Sequence, residues 1–393
     1  MRQRALSFLL GALTKALLAA RCNEACQLKH KLSSSRPPPA PASTYSMPGQ
    51  LTLLAYDNRV DEEGRWPSSH SAPMIQRSAD AKNISIRFGT LKQRGKSLSN
   101  GFSQTERIQW HLETLPKMDG TVFLLDSTDT LLQCGEDELR RKASRLLQHE
   151  NQVLLSGEFT IWPRGLEWYG NSLIAKYPTG GMLRFANTGA LLGTPTAIAK
   201  VLTCMQERYG FPEKCPHSID VNGTYHWLNS TTRWHRGFVG DHWGWEQACW
   251  HFYLTEQSRR RGWMASCPEL VLDYKAEVIL HLNKLATDLQ FGVNGRIRVG
   301  ATKQRSCILH APGPSKYAVP SLAWWYDGRF RTFGSLGPNR QKVVDDFVER
   351  YLGKLNRQAA SSALHYFNVT VLPQIMARAS GHKCDSELCE SGV

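Results

Sequence analysis

Short apolar runs alternate with amphipathic segments through the first half of the chain. Residues 51–56, 121–125 and 152–155 are apolar runs that polar residues follow, which is typical of buried strands. Residues 107–115 and 136–147 are predicted to be helices between or after these strands. Strands that alternate with helices predict an α/β fold.

The last part of the chain has a different pattern. Residues 341–355 carry apolar side chains at helical spacing, and Pro338 and Asn339 precede them as a stop and a start signal. We therefore predict a helical C-terminal extension over residues 319–393 that packs against the preceding domain.

The N-terminal residues have features of a targeting segment. Arg2 and Arg4 open an apolar stretch, no acidic residue precedes Glu24, and residues 31–48 are rich in Pro and Ser. A secretory signal and an organelle transit peptide both remain open, and we favour the secretory pathway, in the endoplasmic reticulum or Golgi lumen. This predicts a leader and linker over residues 1–49, and a folded domain over residues 50–318.

Composition narrows the class of protein. The chain has 393 residues of which 41% are hydrophobic, enough for a core, and its longest apolar run is too short for a membrane span. The net charge of +14 suits nucleic acid, an anionic membrane surface or a phosphorylated substrate, but also a solvated basic surface. No RNA-binding or zinc-finger pattern accompanies it, so charge alone does not choose among these partners.

Ten cysteines are an ordinary number for a chain of this length, so no disulfide-dense scaffold is expected. Cys22 and Cys26, and Cys384 and Cys389, form close pairs near the two ends. We expect a terminal disulfide or free thiols there rather than zinc, because the spacing is irregular for a zinc site.

The segment after the second predicted strand carries the first candidate chemistry. Asp126 and Asp129 lie three residues apart at the end of a buried strand, where both carboxylates can turn toward one point. Mg²⁺ and Mn²⁺ prefer oxygen ligands and leave positions open for phosphate oxygens. The alternative is an ordinary turn, in which Asp and Ser are favoured residues.

Three further segments place polar residues near strand ends or turns. Glu158 and Trp162 follow the third predicted strand, and Asn187 precedes two glycines where a backbone can approach a ligand. His310 ends an apolar run before a Gly/Pro turn that contains Gly313 and leads to Lys316.

In this order, the motifs resemble the glycosyltransferase domain of procollagen lysyl hydroxylases and the related collagen glycosyltransferases. They are Asp-Ser-x-Asp, Glu-x-x-x-Trp-Pro, Asn-x-Gly-x-x-x-Gly, an acid-Gln pair, and His-x-x-Gly-x-x-Lys. The resemblance covers residues 50–318. It implies a GT-A-like fold and a hexosyltransferase that moves sugar from a UDP-sugar donor to a hydroxyl acceptor, such as a protein side chain, with Mn²⁺ or Mg²⁺ as cofactor.

The resemblance also implies roles for individual residues. Asp126, Asp129 and His310 would bind the metal, and Glu158 and Trp162 would line the sugar or acceptor side. Glu246, the acid of the acid-Gln pair, is a candidate for contact with the acceptor or for the base. The residues expected to contact the donor are Lys316, Gly313, Asn187 and Arg107. The alternative interpretation of Arg107 is an ordinary solvated residue of a helix.

Three departures from the family pattern bear on the identity of the acceptor and of the sugar more than on the metal site. Trp245 stands where the family has a second acid, Thr128 where it has an aromatic residue, and Pro312 where it commonly has Asn. They motivate an alternative function, a catalytically silent carbohydrate- or polyanion-binding protein with the same fold. We do not expect nucleic acid as a partner.

Four sequons, Asn-x-Ser/Thr with x other than Pro, occur at Asn83, Asn222, Asn229 and Asn368. They permit N-glycosylation if the chain enters the secretory pathway.

Overall fold

A mixed six-stranded sheet is the main element of the chain in a computed structural model. The residues that the structure describes are 45–57, 73–90, 104–161, 183–212, 214–219, 225–229, 246–259, 262–283, 285–292, 296–300, 304–328, 339–353 and 355–379.

Five of the six strands are parallel to one another, and one runs the opposite way. From edge to edge the strands are β2 (Ser85–Gly89), β1 (Leu51–Tyr56), β3 (Thr121–Asp126), β6 (Phe185–Gly193), β5 (Gln152–Glu158) and β9 (Glu269–Asp273). β6 pairs antiparallel with both β3 and β5, and the remaining pairs are parallel. The α/β fold predicted from the sequence is confirmed.

Both faces of this sheet are covered, which explains the uninterrupted apolar runs. In β3, Val122 and Leu124 belong to one buried cluster, whereas Phe123 and Leu125 belong to the cluster on the opposite face. This alternation is the two-residue period of a strand.

A second, smaller sheet lies beside the first. Its strands are β10 (Ile279–His281), β13 (Ile308–His310) and β4 (Thr130–Leu132), with β13 in the centre. Two antiparallel pairs complete the described strands: β7 (Lys214–Ile219) with β8 (Tyr225–Asn229), and β11 (Leu289–Phe291) with β12 (Ile297–Val299).

The helices surround these sheets. They are α1 (Met74–Asp80), α2 (Gln104–Thr114), α3 (Glu136–Leu146), α4 (Pro195–Tyr209), α5 (Glu246–Ser258), α6 (Val319–Tyr326), α7 (Arg340–Phe347), α8 (Arg357–Tyr366) and α9 (Leu372–Ala379). Among the described residues, no helix has the length and apolar character needed to cross a membrane.

The C-terminal helices pack on the main body, as the sequence predicts. Trp324, Phe347 and Phe367 share one buried cluster with Leu309 of β13. The predicted helix over 341–355 is divided, because α7 ends at Phe347 and a π-helical turn, Val348–Leu352, follows it.

Within the described ranges, three disulfides join six of the chain's ten cysteines, and sequence spacing did not point to any of them. Cys134–Cys307 links the residues just after β4 and just before β13, with Cα atoms 5.0 Å apart. The other two bonds are Cys204–Cys267 and Cys215–Cys249. The cysteine pairs near the chain ends lie outside the described residues.

Candidate metal centre

The topology gathers polar side chains at one edge of the large sheet. Because five strands are parallel, their carboxyl ends lie at the same edge, where Asp126 ends β3 and Glu158 ends β5. β6 runs the other way, so its first residues lie there too: Asn187 is in register with Ser156 of β5. Ligand sites of open α/β sheets lie at such carboxyl edges.

Asp126, Asp129 and His310 converge at this edge. Nε2 of His310 lies 3.3 Å from Oδ2 of Asp126 and 3.4 Å from Oδ1 of Asp129. One ligand atom from each residue lies within 4.8 Å of the other two. Thr130 of β4 is in register with His310, and the N–H of Ala311 donates to the carbonyl oxygen of Asp129 at 2.8 Å. The small sheet therefore fixes the histidine against the aspartate loop.

Two cations flank the pair of carboxylates. Nη1 of Arg107, a buried residue of α2, donates to Oδ1 of Asp126 at 2.9 Å. Nζ of Lys316 lies 3.3 Å from Oδ2 of Asp129, and its side chain is 57% exposed. Lys316 therefore extends from the centre into solvent, where a second anion can reach it.

The charges around the centre perturb one another strongly. Burial disfavours protonation of His310, but Asp129 and Asp126 outweigh it and raise its pKa to about 10. Burial opposes ionisation of Asp126, yet the close contact with His310 and the charge of Arg107 leave its pKa well below the usual range. The two carboxylates therefore favour a positive charge at the position of the imidazole.

The donor set fits a divalent cation. Oδ1 of Asp129 and both ring nitrogens of His310 are buried and lack a hydrogen-bond partner of good geometry among the described residues. Buried polar atoms without such partners are uncommon, and a metal ion is one way to satisfy them. Two carboxylates and an imidazole, with open positions beside them, suit Mn²⁺ or Mg²⁺.

Gly189 leaves the room that the histidine occupies. A Cβ atom at this position of β6 would lie 1.9 Å from Cε1 of His310 and 2.8 Å from Oδ2 of Asp126. The N–H of Gly189 donates to Oδ1 of Asn187 at 2.7 Å, so Asn187 holds this close approach in place. Only glycine allows the β6 backbone and the imidazole to pack this closely.

Glu158 is buried and already engaged. Its Oε2 accepts from Nδ2 of Asn187 at 3.0 Å, and its Oε1 accepts from Nδ2 of Asn283 at 2.8 Å and from Oγ1 of Thr160 at 3.2 Å. Burial raises the pKa of Glu158, and the bonds from Asn283 and Asn187 oppose that rise. Through Asn187 it is linked to Gly189 and hence to the metal centre.

Two further residues support the centre, and neither was among the predicted site residues. Asp57 directly follows β1, and its Oδ2 accepts from Oγ of Ser127 at 2.5 Å, which anchors the loop between the two aspartates. His281 of β10 is in register with His310 and fully buried; the two rings meet edge to face, with centroids 4.4 Å apart. A charged residue directly after the first strand was a signal for Asp57, whereas nothing in the sequence marked His281.

Three other residues predicted for the site, Gly313, Trp162 and Glu246, have no described contact with the metal centre. Gly313 is exposed with a φ of +50°, and a Cβ atom there would meet nothing within 4 Å. Trp162 lies outside the described residues. Glu246 is the first residue of α5, and the described part of the chain does not include its side chain.

Comparison with known proteins yields only distant structural likeness. No family model matches the chain, and no curated protein matches its sequence. Among solved structures, a glycosyltransferase involved in glycosylation of the major capsid of PBCV-1 is 11% identical, with a TM-score of 0.33, covering 70% of this chain and 98% of its own. The bifunctional glycosyltransferase WbbM is 10% identical, with a TM-score of 0.35, and the match covers 82% of this chain and 53% of that one.

A third solved structure is the mannosyltransferase PcManGT from Pyrobaculum calidifontis in complex with GDP-Man and Mn²⁺. It is 12% identical with a TM-score of 0.26, and the match covers 97% of this chain and 86% of that one. Likeness at this level carries no argument about function, so the functional assignment rests on the geometry of the site.

Proposed function

We propose that this chain is a metal-dependent glycosyltransferase with a GT-A-like fold, which transfers a hexose from a UDP-sugar to a hydroxyl acceptor. The observation that carries the proposal is the convergence of Asp126, Asp129 and His310 at the carboxyl edge of the sheet. The sequence motifs around these residues support the choice of a nucleotide sugar over other phosphorylated substrates.

Asp126, Asp129 and His310 would hold the cation, Mn²⁺ or Mg²⁺. When bound, the cation supplies positive charge that stabilises the diphosphate leaving group. Gly189 and His281 keep the imidazole in position from two sides. Asp57 fixes the loop that presents both carboxylates.

Lys316 and Arg107 are proposed to serve the donor phosphates. Lys316 is exposed beside Asp129, so its ammonium can turn toward a phosphate oxygen without disturbing the fold. Arg107 is buried against Asp126 and offers its guanidinium beside that carboxylate. Hydrogen bonds from such cations to phosphate are stronger than neutral ones.

In the reaction, the acceptor oxygen bonds to the anomeric carbon as the bond from that carbon to the diphosphate oxygen breaks. The acceptor proton passes to a base, for which Glu246 is the candidate. Glu158 and Trp162 are proposed on the sugar and acceptor side; Glu158, held by two asparagines, is a fixed carboxylate that can orient a neighbouring sugar-binding group.

We infer that the protein works in an oxidising compartment, the lumen of the secretory pathway. Three disulfides among the described residues support this, because disulfides persist in oxidising compartments and are rare in the cytosol. The basic, acid-free N-terminal sequence is compatible with entry into that pathway.

The deciding experiment compares two aspartate variants in a UDP-sugar turnover assay with Mn²⁺. Asp129→Asn removes a ligand charge and should abolish Mn²⁺-dependent turnover. Asp137→Asn, at an exposed position in the first turn of α3, is the matched control and should retain it. A Mn²⁺-dependent turnover rate in Asp129→Asn equal to that of the wild type would contradict the metal assignment.

The second candidate function is a binding protein without catalysis. Arg107 pairs with Asp126 and Lys316 with Asp129, so the carboxylates have partners without any metal, and this favours a structural role for the cluster. Binding of a sugar polymer without any affinity for UDP, measured by calorimetry, would support this alternative over the enzyme.

A further inference from the structure

The sequon at Asn83 lies at an exposed turn of the described structure. Asn83 occupies the turn between α1 and β2, and its φ of +54° is in the left-handed region that Asn tolerates better than most residues. Asn83 and Ser85 are exposed, whereas Ile84 between them is buried.

The backbone at this turn is well fixed. The N–H of Asn83 donates to the carbonyl oxygen of Asp80, and that of Ile84 to Ala79, each at 3.1 Å. The side-chain amide of Asn83 makes no hydrogen bond with the described residues, so the amide extends into solvent from a rigid support. A bulky glycan is compatible with such a surface turn.

The sequon at Asn368 differs because it lies within a helical segment and its hydroxyl residue is buried. Asn368 lies inside the π-helical turn Phe367–Val371, and the buried residues Phe367 and Val371 flank the segment. Thr370, which supplies the hydroxyl group of this sequon, is only 8% exposed. Asn222 and the side chain of Asn229 lie outside the described residues.

We propose that Asn83 is an N-glycosylation site and that Asn368 is not. In the reaction, Nδ2 of Asn83 loses a proton and bonds to C1 of the first N-acetylglucosamine of a lipid-diphosphate-linked oligosaccharide. The bond from C1 to the diphosphate oxygen breaks, the lipid diphosphate leaves with the bonding electron pair, and the proton passes to a base of the transferring enzyme. The host's oligosaccharyltransferase carries out this step in the secretory compartment, on sequons that the fold leaves accessible.

A glycan at Asn83 would lie next to an outer strand of the large sheet. Asn83 lies two residues before β2, the outer strand of the six-stranded sheet among the described residues. Outer strands present unpaired backbone groups that can pair with another chain, and proteins protect them in several ways. A glycan at the start of β2 would cover this edge.

This proposal rests on the inferred compartment and not on the transferase chemistry, so the two fail separately. The experiment expresses the full chain in a eukaryotic cell, releases N-glycans with an amidase in heavy-oxygen water, and maps the peptides by mass spectrometry. Glycosylated Asn is converted to heavy-labelled Asp, and we expect the label at Asn83 and none at Asn368.

Two variants at Ser85 provide the matched controls, since both leave Asn83 and its turn intact. Ser85→Thr keeps the sequon and should keep the label, whereas Ser85→Ala should lose it. Asn83→Gly, which suits the left-handed φ, should also lose it while the protein stays folded. An unlabelled Asn83 in the wild type, whether or not another sequon is labelled, or equal labelling at Asn368, would overturn the proposal.

Discussion

Adding a single methyl group at Gly189 should disable the metal centre without removing any ligand. In Gly189→Ala the new Cβ would lie 1.9 Å from Cε1 of His310, whereas carbon atoms in contact are about 3.5–4.0 Å apart. Gly189 lies in the irregular stretch of β6, but Ala190 and Asn187 on either side of it are held in register by β3 and β5, which limits how far its backbone can retreat from the imidazole. A shift of about 1.5 Å far exceeds the ~0.2 Å tolerance of metal–ligand distances.

We expect the affinity for Mn²⁺ to fall by about 100-fold or more, since changes to residues that merely support ligands cost about 10- to 100-fold. Calorimetric titration with Mn²⁺ measures this directly. Gly262→Ala is the control, because a Cβ there meets nothing within 4 Å, and thermal melting verifies that both variants fold. Unchanged Mn²⁺ affinity in a folded Gly189→Ala protein would refute the assignment of His310 as a ligand.

Three further predictions follow from the geometry. Lys316→Met should raise the KM for the donor about tenfold without lowering Mn²⁺ affinity, because the side chain serves phosphate and not the metal; kinetics and a Mn²⁺ titration separate the two effects, and a loss of metal binding would contradict that role. Burial, aided by the charge of Arg107, lowers the pKa of His111 from 6.5 to about 3, so between these pH values the unfolded chain binds a proton that the folded chain does not. The free energy of unfolding should therefore fall as pH drops through this window, by up to about 1.4 kcal/mol per pH unit. In His111→Leu, urea titrations at a series of pH values should show a free energy of unfolding that depends less steeply on pH. Replacing both Cys134 and Cys307 with Ala should lower the free energy of unfolding by about 2–5 kcal/mol. It should also weaken Mn²⁺ binding, because the bond ties β4, which follows Asp129, to β13, which carries His310. An unchanged denaturation midpoint would count against the stabilising role of the bond.

The strand that delivers Asp126 was predictable from the sequence because it is buried on both faces and therefore uniformly apolar. The end of β5 was not: the prediction stopped at residue 155, where Ser156 and Gly157 interrupt the apolar run, but the strand continues through a register shift to Glu158. A β-bulge allows pairing to continue past residues that propensity alone would exclude.

A strand that ends at His310 was predicted, but its partners in the small sheet were not. β4, β10 and β13 are only three residues long, and β4 pairs with a strand from near the end of the domain. Such short strands give no periodicity, and long-range pairing leaves no local signal. The same holds for the disulfide Cys134–Cys307, whose partners are separated by 173 positions. The metal residues were nonetheless identifiable, because their chemistry is local: a carboxylate pair after one strand and a histidine ending another.

The central claim is that the cation held by Asp126, Asp129 and His310 binds a nucleotide diphosphate. Calorimetry of UDP binding to the full chain, with and without Mn²⁺, tests it most directly. We predict binding that requires Mn²⁺ and is lost in Asp129→Asn. Binding of equal strength without the metal, or none in its presence, would contradict the account.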